Sequence, residues 1–221
     1  MKSIYIILLN LLSAAYAQDT QDYFNTLQNI ILSEKNAFSG LTNPKSASSA
    51  SQNFNITYYR MEWNVDPAVR FIQGSVTSYF KITSNGDNIS YDLSDSLFVD
   101  SVKQRNSLLN YSQGNNTLEV NFPNSIKQGT YDSISIFYHG IPPTSGFGSF
   151  VTSSHAGVPI LWTLSEPYGS RDWWPCKNGL DDKADSIDVF ITCPSAYTAA
   201  SNGLRQSIVI QGGNKTTHWK H

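Results

Sequence analysis

The chain has 221 residues, with 15 Lys+Arg against 17 Asp+Glu and a formal net charge of −2. That balance excludes a strongly basic nucleic-acid surface and an acidic tail. Charged residues supply only 14% of the chain and aromatics 13%, which excludes disorder throughout and favours strands, since aromatic and β-branched side chains fit a pleated, half-buried surface.

The amino terminus carries an export pattern. Lys2 is the sole charge before Gln18, an apolar run extends from Ile4 to Leu12, and Ala15-Tyr16-Ala17 places small residues at a cleavage site. Residues 1–17 are therefore expected to be a signal peptide and the protein to be secreted, periplasmic or held at the cell surface. The apolar run is well short of the roughly 20 residues that a membrane span needs, and no other stretch reaches that length, so no span is expected.

Asp22 to about Phe38 shows helical spacing, with Phe24, Leu27, Ile30 and Ile31 near one side. Ser39 to Asn53, rich in Ser, Ala and Asn, reads as a linker. Residues 18–54 thus form a helical extension and linker.

From Asn55 the period becomes two. Tyr59, Met61, Trp63 and Val65 share one face of a strand that ends at Asp66-Pro67. Short alternating runs follow at 76–82, 89–93, 97–104, 108–112, 117–122 and 133–138, separated by Asn, Gly and Pro. Strand-like segments at 149–154, 159–164, 186–193, 208–211 and 217–221 complete the chain. Such spacing without interleaved helices predicts an all-β antiparallel sandwich or open curved sheet over residues 55–221.

The candidates for chemistry are few. His139, His155, His218 and His221 do not form a helical HExxH pair, and His218 and His221 sit on opposite faces of one strand, so no metal site is expected in this chain. Asp181, Asp182 and Asp185 lack the spacing of a calcium loop and read as a solvated acidic turn. Cys176 and Cys193 are the only cysteines. They are either a disulfide permitted by export or two buried thiols. Asn55, Asn88, Asn110, Asn115 and Asn214 each open an N-x-[ST] sequon, a frequency that chance alone accounts for in so Asn- and Ser-rich a chain.

The densest segment is Glu166-Pro167-Tyr168-Gly169-Ser170-Arg171-Asp172-Trp173-Trp174-Pro175-Cys176. Pro167 restricts the backbone of Glu166 and so helps to fix its carboxylate. A fixed carboxylate suits a cationic amine. It equally suits an ion pair with Arg171 that merely holds the loop, and the residue pattern alone favours that pairing.

Glu166-Pro167, Arg171, Pro175-Cys176 and Lys183-Ala184, in that register, resemble the amino-terminal domain of the aminopeptidase N family of zinc metallopeptidases, the gluzincin aminopeptidases. Tyr58-Tyr59-Arg60-x-Glu62-Trp63-x-Val65-Asp66-Pro67 is similar to its opening strands, particularly in secreted bacterial members, and Ser201-Asn202-Gly203 and His218-Trp219 to its closing ones. The resemblance implies a saddle-shaped β domain packed against a downstream catalytic domain of the same polypeptide, which would hold the zinc. It also implies that Glu166 recognises the free α-amino group of a peptide substrate. The family's HExxH, G-x-M-E-N motif and transition-state tyrosine have no match here, so the chain alone is expected to hold no zinc and to be inactive, as a fragment of the parent enzyme. Where the family often has Phe-Asp-Glu-Pro after the Cys, this chain has Lys177-Asn178-Gly179-Leu180, which leaves the local turn open. An apolar patch around Trp173 and Trp174 is expected to meet the missing partner. The competing reading is a stand-alone secreted β-sandwich binding or adhesion module.

Overall fold

The computed structural model describes Gln28, Ser48, and residues 50–144, 148–180 and 182–221. The signal peptide expected over 1–17 lies outside the described residues. So does the helix expected over 22–38, apart from Gln28, which is helical. The chain divides into two units, 1–44 and 45–221.

The described residues of the second unit form twelve strands: β1 (Phe54–Asp66), β2 (Val69–Ile82), β3 (Gly86–Asp92), β4 (Leu97–Gln104), β5 (Ser107–Gly114), β6 (Thr117–Ile126), β7 (Tyr131–Gly140), β8 (Phe150–His155), β9 (Val158–Thr163), β10 (Ser186–Pro194), β11 (Leu204–Gln211) and β12 (Asn214–Lys220). A 3-10 turn at Ser170–Asp172 lies between β9 and β10. The fold is thus the all-β, antiparallel-dominated sandwich that the periodicity predicts. Ten strands hydrogen-bond in the order β11-β12-β10-β1-β2-β7-β4-β5-β6-β3, and β8-β9 is a separate hairpin. Every neighbouring pair is antiparallel except β1 and β10, which run parallel.

The sandwich arises at β5. Its first half pairs with β4 (Val102↔Leu109) and its second half with β6 (Tyr111↔Val120). A strand that changes partners midway turns a corner in the sheet. The β3-β5-β6 layer then packs on β1 and β2: the Tyr91 ring lies 5.3 Å from that of Phe54, and the Tyr91 hydroxyl shares a 2.6 Å hydrogen bond with Ser78 Oγ. Ile56, Phe80, Ile89, Leu118, Val120, Ile136 and their neighbours form the buried core.

β1 feeds that core in two parts. Phe54 and Ile56 are buried, then Tyr59, Met61 and Trp63. The parity changes because the β1–β2 register shifts between Ile56 and Tyr58. The extra residue, Thr57, is a β-bulge. Its hydroxyl donates to Tyr79 O, and its carbonyl accepts from Asp185 N.

The end of the expected linker is stitched to β3. Ser51 N donates to Ser90 Oγ (2.8 Å) and Ser90 N to Ser51 Oγ (2.9 Å), Asn53 Nδ2 donates to Asn88 O (2.8 Å), and Ser48 Oγ donates to Asp92 Oδ2 (2.6 Å). No helix among the described residues is long and apolar enough to cross a membrane.

Candidate functional site

The site grows from the segment between β9 and β10. Leu164 N donates to Ser149 O and Gly169 N to Ser165 O, so the chain folds back on itself directly after β9. A Cβ at Gly169 would stand 2.7 Å from both Leu164 O and Ser149 Oγ, so only glycine fits this close approach. Glu166-Pro167, at the crest of the turn, is a cis peptide.

Trp173 anchors the turn from beneath. Its ring is buried, 4.7 Å from that of Trp63, and its Nε1 donates to Ser165 Oγ at 3.2 Å. Trp63 Nε1 donates to the Tyr138 hydroxyl, which donates to Trp173 O, both at 2.9 Å. Burial pushes the Tyr138 phenol well above its ordinary range, so it stays a neutral donor. Trp174 is half-buried, its ring edge-on to Tyr59 at 5.1 Å. The apolar surface expected around the two tryptophans is carried by the half-buried Trp174 and not by Trp173, although both rings line the same recess. Trp173 belongs to the domain's own core, because Trp63, Tyr138 and Phe150 offer it both apolar surface and hydrogen-bond partners.

The departure after Cys176 builds its own turn. Cys176 and Asp92 exchange backbone hydrogen bonds, Asn178 N donates to Asp92 Oδ2 (2.9 Å), and Asn178 Nδ2 donates to Tyr168 O (2.7 Å). Lys177 Nζ pairs with Asp182 at 2.6 Å, donates to Phe54 O and lies 4.8 Å from the centre of the Phe54 ring. Both charged side chains are only 4% exposed. Asp182 is thus no part of a solvated acidic turn. Its carboxylate is held inside by Lys177 and by Ile56 N, because a charge this buried needs a partner. Asp185 is exposed, as expected, and Asp181 lies outside the described residues.

Cys176 and Cys193 are both free and buried. Of the two readings left open, the structure holds the pair of thiols and not the bridge. Cys176 is fixed against Asp92, with Asn178 Oδ1 3.9 Å from its sulfur, while Cys193 lies one residue before the end of β10, opposite Lys215. Burial, reinforced by the Asp92 charge, pushes the Cys176 thiol well above its ordinary value, so it is inert.

Glu166 is exposed and lines a recess of about 760 Å³. The floor is Trp63, Val65, Ile187 and Ile191 from β1 and β10. Leu161, Trp162 and Leu164 form one wall and Tyr197 to Asn202 another. No ion pair joins Glu166 to Arg171. Arg171 is half-buried, its carbonyl accepting from Ser94 N. The loop-holding pairing suggested by sequence is thus not formed, since backbone hydrogen bonds and Trp173 already hold the loop.

The histidines are not brought together. His139 pairs with Asp100 (2.8 Å), His218 with Asp188 (2.5 Å), His155 is exposed at a hairpin end, and His221 borders the recess. Among the described residues no cluster of three or more His, Cys, Asp or Glu could hold a metal. A zinc ion does not fit this set of residues. Sequence reasoning missed the recess floor and Trp162. The alternation of β1 and β10 marks their inward faces, but not that part of those faces stays open.

A β-sandwich with an exposed carboxylate beside a largely apolar recess is the class of domain these features define. Residues 55–221 match the Peptidase M1 N-terminal domain family, and the chain belongs to it. Among solved structures, a two-domain M1 zinc metallopeptidase variant bound to L-arginine is similar, with a TM-score of 0.69 and 24% identity over 77% of this chain and 40% of that one. The M1 zinc metallopeptidase from Deinococcus radiodurans gives 0.68 and 25% over 76% and 39%. A variant of the Deinococcus radiodurans enzyme bound to a Tyr-Ser-Ala substrate gives 0.68 and 24% over the same shares. The chain therefore spans about two fifths of the length of these neighbours. Comparison with curated protein sequences gives no match.

Proposed function

We propose that this chain is the non-catalytic amino-terminal part of a secreted zinc aminopeptidase, with Glu166 accepting the α-ammonium group of a peptide substrate. The observation that carries the reading is Glu166 itself: an exposed carboxylate with no ion-pair partner among the described residues, on a turn fixed from beneath, at a recess. Preorganised acceptors of this kind position a substrate without rearrangement and disfavour a blocked terminus. The family and its zinc-metallopeptidase neighbours support the reaction class. Zinc, when bound by ligands outside the described residues, would polarise the scissile carbonyl and activate water. The role left to this chain is to hold the amine end. Export rests on the pattern of residues 1–17.

A charge-assisted hydrogen bond contributes about 1.5–3 kcal/mol. In a polypeptide that carries the catalytic domain, Glu166→Ala should lower kcat/KM about 10- to 150-fold. Steady-state kinetics on an amino-acid anilide check this, and an unchanged kcat/KM would refute the role.

A further inference from the structure

We infer that β11 pairs with β11 of a second copy of this chain, antiparallel, across a two-fold axis at Val209.

The two edges of the ten-stranded sheet are finished differently. At one edge the chain itself covers β3: Ser51 and Ser90 exchange hydrogen bonds, Asn53 Nδ2 donates to Asn88 O, and Asp92 exchanges backbone bonds with Cys176. At the other edge, among the described residues, β11 pairs with β12 alone, and all eight of its residues are exposed. Leu204 to Gln211 contains no Lys, Pro, Asp or Glu, the residues that keep natural edges from pairing. Apolar side chains stand out instead: Ile208 is 44% exposed, Val209 56% and Ile210 65%.

The free backbone groups set the register. β11 and β12 are joined by a two-residue turn, Gly212-Gly213, with both residues at positive φ. In such a hairpin the residues flanking the turn exchange both hydrogen bonds, and the pattern then alternates. Gln211, Val209 and Ser207 therefore turn their N–H and C=O toward β12, while Ile210 and Ile208 turn theirs outward. The bulge between Arg205 and Ser207 limits the regular ladder to Ser207 through Gln211. With Val209 at the axis, Ile208 of each copy meets Ile210 of the other. Both pairs exchange their hydrogen bonds and set branched side chains directly opposite each other, a favourable cross-strand arrangement. Ser207 meets Gln211, so no charge falls within the ladder, and Arg205 lies beyond it. A formal net charge of −2 adds little repulsion between copies. The contact uses the same surface on both copies and closes at two, and the covered β3 offers no second site for growth along the sheet.

The ladder runs over about 17 Å of strand, at the small end of interfaces, so a dissociation constant on the order of 10–100 µM is expected. Sedimentation equilibrium of this chain across that range should show monomers passing to dimers and nothing larger. Val209→Lys sets two like charges opposite each other at the axis and should weaken the dimer at least about tenfold. Val209→Glu should do the same. An equimolar mixture of the two variants should dimerise at least as tightly as wild type, since opposite charges then face. Val209 is exposed, so each variant should melt within about 2 °C of wild type. A chain that stays monomeric up to about 500 µM would overturn the pairing. So would Val209→Lys associating as wild type does, or a mixture no tighter than either variant alone.

Discussion

The two faces of β1, β10 and β12 are held by different forces. Toward the recess, Trp63 and Val189 are buried and Ile187, Ile191 and Trp219 pack half-buried on the core. On the opposite face the same strands carry a polar ladder. Asp188 accepts from the Tyr58 hydroxyl (2.7 Å), from His218 Nε2 (2.5 Å) and from Lys220 Nζ (3.4 Å). The Phe190 ring stacks on His218 with centroids 4.0 Å apart, and the Arg60 guanidinium lies 4.1 Å from the centre of the same ring. The inner face depends on apolar area, which pH does not touch. The outer face depends on the Asp188 carboxylate, which titrates. The same three strands can therefore be loosened from either side by different means, and a mutation's effect identifies the face it came from.

The largest effect is expected on the inner face. Trp63→Ala would empty a buried site between Trp173 and Trp174 and leave the Tyr138 hydroxyl without its donor. Losses for buried Trp→Ala run about 3–5 kcal/mol. For a chain of this size that lowers the melting temperature by roughly 10 °C. Thermal unfolding by circular dichroism checks it, and the loss should be the same at pH 5 and pH 8. A pH-dependent loss would break the contrast between the faces.

A smaller and pH-dependent effect is expected on the outer face. Burial works to raise the Asp188 carboxyl, but hydrogen bonds from Tyr58, His218 and Lys220 outweigh it and hold the group below its usual value. A carboxyl lowered in the folded state contributes stability that is present above the unfolded value of about 3.9 and is lost as pH falls through the folded value. Asp188→Asn should thus cost about 1–3 kcal/mol near neutrality. The gap between mutant and wild-type melting temperatures should shrink below about pH 4. A gap unchanged down to pH 2.5 would show that Asp188 acts by shape and not by charge.

The strands were legible in the sequence because alternation and turn residues are local signals, and Asn55 to His221 carries both. Two features were not. The bulge at Thr57 needs one extra residue opposite β2, and nothing in the Thr57 side chain announces it. The corner at β5 comes from a change of partner midway along one strand, which a period-two pattern cannot record. At the site, Glu166 was visible from its place before Pro167. Trp173 was misread as surface, because Trp173-Trp174 in a turn-rich stretch has no periodicity to say which ring turns inward. Asp182 was misread for a related reason: its partner Lys177 is near in sequence, but the burial of both comes from Phe54 and Ile56, more than a hundred residues away.

The smallest stability effect is expected at Glu166, and its smallness is informative. If the carboxylate held the loop, Glu166→Gln would strand a cation and melt the domain early. The structure gives the loop other supports: Gly169 N on Ser165 O, Trp173 Nε1 on Ser165 Oγ, Ser94 N on Arg171 O and the Ser149–Asp172 side-chain bond at 2.7 Å. None of these involves the Glu166 side chain. An exposed substitution that breaks no contact stays within about 0.5 kcal/mol, so the melting temperature of Glu166→Gln should match wild type to within about 2 °C. Set beside the kinetic loss expected from Glu166→Ala, this gives a side chain whose removal spares the fold and disables the reaction, the reverse of Trp63. A fall of many degrees in the Glu166→Gln melt would instead return Glu166 to the structural side and dissolve the contrast between a turn built by its neighbours and a carboxylate left over for a ligand.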